Sequence, residues 1–115
     1  MEIELPFPPS VNHLWRCVGH RMIVSRRGRE YRTSVCSILR GTRPMTGRLS
    51  VSIELYPPDR RRRDLDNAQK ALIDSLAHGG AYLDDSQIDH LEITRRECLP
   101  HGKVIVRIEE MADGD

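Results

Sequence analysis

The sequence predicts a small α/β (α+β) domain with a mixed sheet of four to five strands and two main helices. The length of 115 residues suits one domain. Several segments alternate apolar and polar residues, as half-buried strands do, and two others repeat apolar residues at helical spacing. We expect the domain to cover residues 1–111 and residues 112–115 to form a disordered tail.

The first half of the chain predicts two short strands and a helix. "MEIELP" alternates apolar residues with glutamates, and the prolines of "PFPPS" end this strand. "HRMIVS" predicts a second strand. Ser25 is a suitable N-cap for a helix over residues 26–40, which Gly41 and Pro44 end. The apolar stripe of this helix is expected to contain Tyr31, Val35, Ile38 and Leu39.

The second half predicts three longer strands and a second helix. "GRLSVSIELYPP" alternates with Leu49, Val51, Ile53 and Leu55 on one face, and its prolines end the strand. Apolar spacing predicts a helix over residues 65–78, which two glycines end. "DHLEITRREC" and "GKVIVRIEEM" predict two further strands.

Charge is distributed unevenly along the chain, although the formal net charge is only +1. Residues 16–48 contain nine arginines and one acid, Glu30, whereas residues 84–115 contain nine acids and four bases. A strongly positive surface suits a polyanion partner. The alternative is a helix that is merely solvated by arginine.

Cysteine usage and hydropathy indicate a cytoplasmic protein. The three cysteines, Cys17, Cys36 and Cys98, show no C-x-x-C spacing, which favours reduced thiols over a zinc site or disulfides. No apolar run approaches the roughly 20 residues that span a membrane, and there is no signal peptide. We therefore expect no membrane partner and no organic cofactor.

The stretch "RRRRDLDNAQK" places four arginines directly before two aspartates. Asp64 and Asp66 leave the same side of an extended backbone, and two carboxylates about 4 Å apart repel by roughly 4 kcal/mol at an effective dielectric constant of 20. A divalent cation such as Mg²⁺ would relieve this repulsion. Helix capping by aspartate, with Asn67 in the same network, is the alternative explanation.

Two further residues fit a metal-dependent phosphodiester site. Lys70 lies one helical turn after Asp66, where it can orient water or offset phosphate charge; an ordinary surface ion pair is the alternative. The helix from 66 to 78 rises about 18 Å, and seven extended residues span about 23 Å. Asp85 can therefore return to the level of Asp64 as a third carboxylate, unless "LDDSQID" is a polar turn capped by Ser86.

The chain resembles the RusA-type Holliday-junction resolvases. "LPFPPSVNHLWR", "YPPDRRRRDLDNAQKALIDSL", "LDDSQID" and the C-terminal "GKVIVRIEEM" carry the resemblance over nearly the whole length. It implies a homodimeric endodeoxyribonuclease that uses Mg²⁺, or Mn²⁺ in its place. Such an enzyme binds four-way DNA junctions and resolves them by paired symmetric nicks in recombination and repair, and it is encoded by bacteria or phages.

The resemblance also assigns site residues. It implies that Asp64, Asp66 and Asp85 hold the metal and that Lys70 completes the catalytic set, with Asp84 as the neighbouring acid. Phosphate contacts are expected from Arg60, Arg61, Arg62, Arg63, Asn67, Arg16, Arg26 and Arg27. The family's junction-opening aromatic residue has no counterpart in residues 17–24. Either Trp15 or Tyr31 takes its place, or this member of the family opens junctions differently.

Three rival functions remain at this point. One is a junction-binding protein without catalysis, and another is a metal-dependent phosphohydrolase that acts on nucleotides. The third is a structural protein whose acids only cap helices. Two matched cuts in one junction require two active sites, which favours a two-fold dimer for the resolvase.

Overall fold

The computed structural model describes residues 1–9, 15–19 and 21–112 and contains eight regular helices and strands in that part of the chain. In chain order they are β1 (Glu2–Leu5), β2 (Trp15–Val18), β3 (Arg21–Val24), α1 (Arg26–Ile38), β4 (Leu49–Tyr56), α2 (Leu65–His78), β5 (Ile88–Arg95) and β6 (Lys103–Glu110). A short 3₁₀ helix, Asp85–Gln87, precedes β5. Of the predicted tail, residues 113–115 lie outside the described residues.

A four-stranded sheet in the order β1-β6-β4-β5 is the centre of the fold. β4 pairs with β5 in parallel and with β6 antiparallel, and β1 is antiparallel to β6. This mixed sheet confirms the predicted fold class, two helices included. β2 and β3 form a separate hairpin; β3 lies within the predicted "HRMIVS" strand, whereas the four-residue β2 was not predicted.

β4 is the central strand of the core. The alternation predicted from its sequence is confirmed, because Leu49, Val51, Ile53 and Leu55 are buried and the residues between them are only half-buried. Val106 of β6 and Ile93 of β5 flank Ile53 in register. One face of the sheet is therefore the core face, which packs against the two helices.

Both helices follow their sequence signals closely. The Ser25 hydroxyl accepts the Gly28 N–H at 3.1 Å and caps α1, as predicted. Tyr31, Val35 and Leu39 are buried, but Ile38 is 45% exposed. The prediction for Ile38 was wrong because a residue next to Leu39 points about 100° away from the buried stripe.

The C-terminal ends of α1 and α2 meet. α2 covers the predicted span, and a Cβ atom on Gly79 would lie 2.8 Å from Leu39 Cδ1. A hydrogen bond holds the N-terminal half of α1 against the segment that follows β1: the Tyr31 hydroxyl donates to the Pro6 carbonyl at 2.7 Å. No helix in the described part of the chain is long and apolar enough to cross a membrane.

The Tyr31–Pro6 hydrogen bond should contribute measurably to stability. Tyr31→Phe leaves the Pro6 carbonyl without this donor, so the free energy of unfolding should fall by about 1 kcal/mol. Urea denaturation measures it. Tyr56→Phe is the matched control, since its hydroxyl bonds the half-buried Glu54 on the other face of the sheet. An equal loss in both variants would contradict a special role for Tyr31.

Candidate functional site

A loop of residues 57–64, here called the arginine loop, joins the end of β4 to the start of α2. The Asp59 carboxylate stabilises the conformation of this loop, because it accepts hydrogen bonds from the Arg63 guanidinium at 2.7 Å and from the Arg61 N–H at 2.9 Å. These two bonds, Arg63 foremost, lower the pKa of Asp59 to about 2. The Arg95 guanidinium donates to the Arg63 carbonyl, which fixes the loop to the end of β5.

The four arginines of this loop are not equivalent. The Arg63 side chain is half-buried, and its guanidinium carbon lies 5.5 Å from the centroid of the Phe7 ring. Its positive charge therefore interacts with groups of the chain itself. Arg60, Arg61 and Arg62 are exposed. These three therefore present positive charge to solvent, although Arg61 also has Asp59 at 3.8 Å.

The start of α2 presents two exposed carboxylates beside the arginine loop. Asp64 occupies the N-cap position in extended backbone, but its side chain makes no capping hydrogen bond among the described residues. Asp66 lies in the first turn and, like Asn67 and Lys70, is exposed. Capping therefore does not explain Asp64. A cleft of about 270 Å³ next to it is lined by Phe7, Pro8, Pro9, Arg62, Arg63, Asp64, Asn67 and Ala68.

The second acidic pair divides into a structural acid and an exposed one. Asp84 is the N-cap of the 3₁₀ helix: its carboxylate accepts the Ser86 hydroxyl, its backbone carbonyl accepts the Gln87 N–H at 3.1 Å, and Gln87 Oε1 accepts the Asp84 N–H at 2.9 Å. The Ser86 hydrogen bond is the main reason that the pKa of Asp84 is lowered. The cap is Asp84 and not Ser86, and Asp85 is exposed.

Asp85 lies near the C-terminal end of α2. The chain turns sharply after the helix, where the Ala81 N–H donates to the Leu76 carbonyl at 3.0 Å and the Tyr82 hydroxyl donates to the Ile73 carbonyl at 2.7 Å. Gly80 permits this turn with a φ of 88°. Residues 79–85 are therefore not the extended return that the sequence argument assumed.

The expectation that one chain brings Asp85 level with Asp64 was wrong. β5 starts at Ile88, which pairs with Leu49 at the start of β4, whereas Asp64 follows the end of β4. An eight-residue strand spans roughly 23 Å, so the two carboxylates lie at opposite ends of the sheet and of α2. Among residues 1–9, 15–19 and 21–112, no group of three or more His, Cys, Asp and Glu side chains could hold a metal ion.

Asp74 was not predicted as a site residue, but its charge acts on the same tyrosine, Tyr82, as the charges of Asp84 and Asp85. The pKa of the Tyr82 phenol is raised mainly by burial and further by the charges of these three carboxylates. The sequence feature that could have indicated Asp74 is its position four residues after Lys70, on the same side of α2.

The remaining residues predicted to contact DNA have different surroundings. Arg26 pairs with Glu30 at 3.1 Å on the exposed side of α1. Arg27 lines a second cleft together with Arg61, Arg62 and Arg63 of the arginine loop. The side chains of Arg16 and Trp15 lie outside the described residues. Tyr31 is buried, which excludes it as a surface wedge between bases.

Comparisons with known proteins cover almost the whole chain. The family model described as Endodeoxyribonuclease RusA matches residues 6–109. A crossover junction endodeoxyribonuclease of Enterobacteria phage HK97 is 39% identical over 113 residues, 96% of this chain and 94% of that protein. The proteins of the same name from Enterobacteria phage 82 and Escherichia coli (strain K12) are each 38% identical over 114 residues, covering 96% of this chain and 95% of theirs. The chain is an endodeoxyribonuclease and belongs to the RusA family.

Proposed function

We propose that the protein is a Mg²⁺-dependent endodeoxyribonuclease that binds four-way DNA junctions as a homodimer and resolves them by paired nicks in the bacterial cytoplasm. The names of its relatives support the substrate. The observation that supports the chemistry is the exposed pair Asp64 and Asp66, which lies next to exposed arginines and does not serve as a side-chain helix cap.

In this proposal each half of the arginine–aspartate stretch has its own task. Arg60, Arg61 and Arg62 bind backbone phosphates through rigid guanidinium groups and release counterions from the DNA. Asp64 and Asp66 supply hard oxygen ligands of the kind that Mg²⁺, or Mn²⁺, prefers. When bound, the metal would polarise the scissile phosphate and lower the pKa of an attacking water.

Lys70 and the third acid complete the proposed catalytic set. Lys70 lies one turn after Asp66 and is exposed, so its ammonium group can orient water or offset charge that develops on the phosphate. Asp85 is the third ligand. Asp84 serves the turn, because its carboxylate already accepts the Ser86 hydroxyl within it.

The third ligand has to come from a second copy of the chain. Within one chain Asp85 lies at the far end of α2 from Asp64 and Asp66. If two copies pair about a two-fold axis with their α2 helices antiparallel, the start of each helix meets the end of the other. Such a dimer has two identical sites, each with Asp64 and Asp66 from one copy and Asp85 from the other, which also suits two matched cuts.

Cleavage should require the acids and the lysine. Asp66→Asn and Lys70→Ala should each lower the rate of junction cleavage in Mg²⁺ by at least roughly 100-fold and leave junction binding within about threefold, because neither residue is needed for the fold. The measurement is nicking of an end-labelled synthetic four-way junction, run beside linear duplex of the same sequence. Binding by the wild-type chain without nicks, in Mg²⁺ or Mn²⁺, would instead leave a junction-binding protein without catalysis.

Mixing two inactive variants tests the shared site. In a heterodimer of Asp66→Asn with Asp85→Asn, one site carries both substitutions and the other carries neither. Each variant alone should be inactive. After random exchange of subunits about half of the dimers are mixed, so the mixture should regain nicking of one strand per junction.

The control for this experiment is a mixture of Asp64→Asn with Asp66→Asn. Both residues belong to the same copy's half of each site, so every site in that mixed dimer carries a substitution and the mixture should stay inactive. If the mixture of Asp66→Asn with Asp85→Asn stays as inactive as this control, the shared arrangement is overturned.

Asp59 should stabilise the protein in a defined pH range. Its folded pKa, about 2, lies below the unfolded value near 3.9, so its contribution is complete above that value and is lost as pH falls through about 2. The difference in Tm between wild type and Asp59→Asn should thus be constant above pH 5 and narrow between pH 4 and pH 2. A difference that is independent of pH would show that the Asp59 charge does not hold the arginine loop.

A further inference from the structure

A groove of about 530 Å³ lies beside the outward face of α1 and reaches the last residue of α2. Its described lining residues are Arg29, Arg32, Thr33, Cys36, Ser37, Arg40 and His78. We call this the α1 groove. The proposed catalytic residues and the arginine loop are not among them.

The charge of the α1 groove is one-sided. Three of its seven lining residues are arginines, a fourth is a histidine, and none of the seven is acidic. The acid of α1, Glu30, pairs with Arg26. A lining that contains basic residues and no acid suits a bound polyanion.

The groove has the length and the side chains to follow a nucleic-acid strand. Arg29 lies near the start of α1 and Arg40 lies two residues beyond its last residue, Ile38, so the row runs along most of the helix, about 16 Å. This length suits several successive phosphates of one nucleic-acid strand. A single phosphate group would occupy only one end of such a row.

The groove lies at the other end of α2 from Asp64 and Asp66 of the same chain. It extends towards the C-terminal ends of α1 and α2, where Leu39 contacts Gly79, whereas Asp64 and the arginine loop lie at the start of α2. The fourteen residues of α2 separate these two ends by about 20 Å. Asp85 lies near the same end of α2 as the groove, so in the proposed dimer a strand bound in the groove would lead towards the site to which Asp85 contributes. The lining residues themselves would contribute affinity, because none of them belongs to the proposed catalytic set.

We propose that the α1 groove binds the phosphate backbone of a junction arm, about 20 Å from Asp64 and Asp66 of the same chain. Arg32 and Arg40 are its main contacts, because both are arginines that line the groove, one within α1 and one just beyond its end. This inference rests on the proposed function for its substrate. It adds a second binding surface that acts on affinity and on the salt dependence of binding.

The test compares Arg40→Ala, Arg32→Ala and the double variant with Arg43→Ala. Arg43 is exposed, lies three residues after Arg40 and is not a lining residue of the groove, so its loss removes the same charge outside the groove. The Kd for a synthetic four-way junction is measured by fluorescence anisotropy over a range of NaCl concentrations, without divalent cations. Single-turnover nicking in Mg²⁺ is then measured at saturating protein.

Each single groove variant should raise the Kd for the junction about three- to tenfold and reduce the magnitude of the slope of log Kobs against log salt by about one. The double variant should reduce the magnitude of this slope by about two. Arg43→Ala should change Kd by less than about twofold, and the saturated nicking rate should stay at the wild-type value in all variants. Groove variants that behave like Arg43→Ala would overturn the proposal.

Two other outcomes separate this inference from the proposed function. If the wild-type chain binds junctions but never nicks them, the proposed function fails, while the Kd and salt slopes still decide the role of the groove. If the groove variants lose binding of a labelled mononucleotide but keep the wild-type junction Kd, the groove takes a small phosphate ligand and the backbone proposal is wrong.

Discussion

The parallel pairing of β4 with β5 is the constraint on which the rest of the structure depends. Two parallel neighbours need a crossover, and here α2 makes it, running back along the sheet from the end of β4 to the start of β5. The segment that directly follows β4 therefore lies at one end of the sheet, and the segment that directly precedes β5 lies at the other end. The topology therefore separates Asp64 and Asp66 from Asp85, and a site that uses all three needs a second chain.

Local hydrogen bonds decide which acids are available for chemistry. The Asp59 carboxylate accepts hydrogen bonds from two groups of its own loop, and the Asp84 carboxylate accepts the Ser86 hydroxyl in the next turn. Both have lowered pKa values for that reason. Each of the two acidic segments thus contains a carboxylate that stabilises the local loop, Asp59 in the first and Asp84 in the second. Asp66 and Asp85, in the same two segments, remain exposed.

What could be predicted from the sequence is local in origin. The alternation of β4, the Ser25 cap and the limits of α2 depend on neighbours within a few residues, so reading the pattern was enough. The position of Asp85 depends on which strand β5 pairs with and in which direction, and chain length alone permitted either end. β2, Trp15–Val18, was not predicted, although β1 and β3 are equally short.

The charges on the two sides of the molecule explain why DNA should approach from the helices. On the face of the sheet away from the core, Arg107 pairs with Glu2 and Glu54, and Arg96 also reaches Glu54. These charges largely cancel, and Arg107 is the chief reason that the pKa of Glu54 is lowered. On the helical side, positive charge accumulates in the arginine loop and the α1 groove instead. A chain with a formal net charge of +1 can therefore present a positive side, because several of its paired charges lie on the opposite face of the sheet.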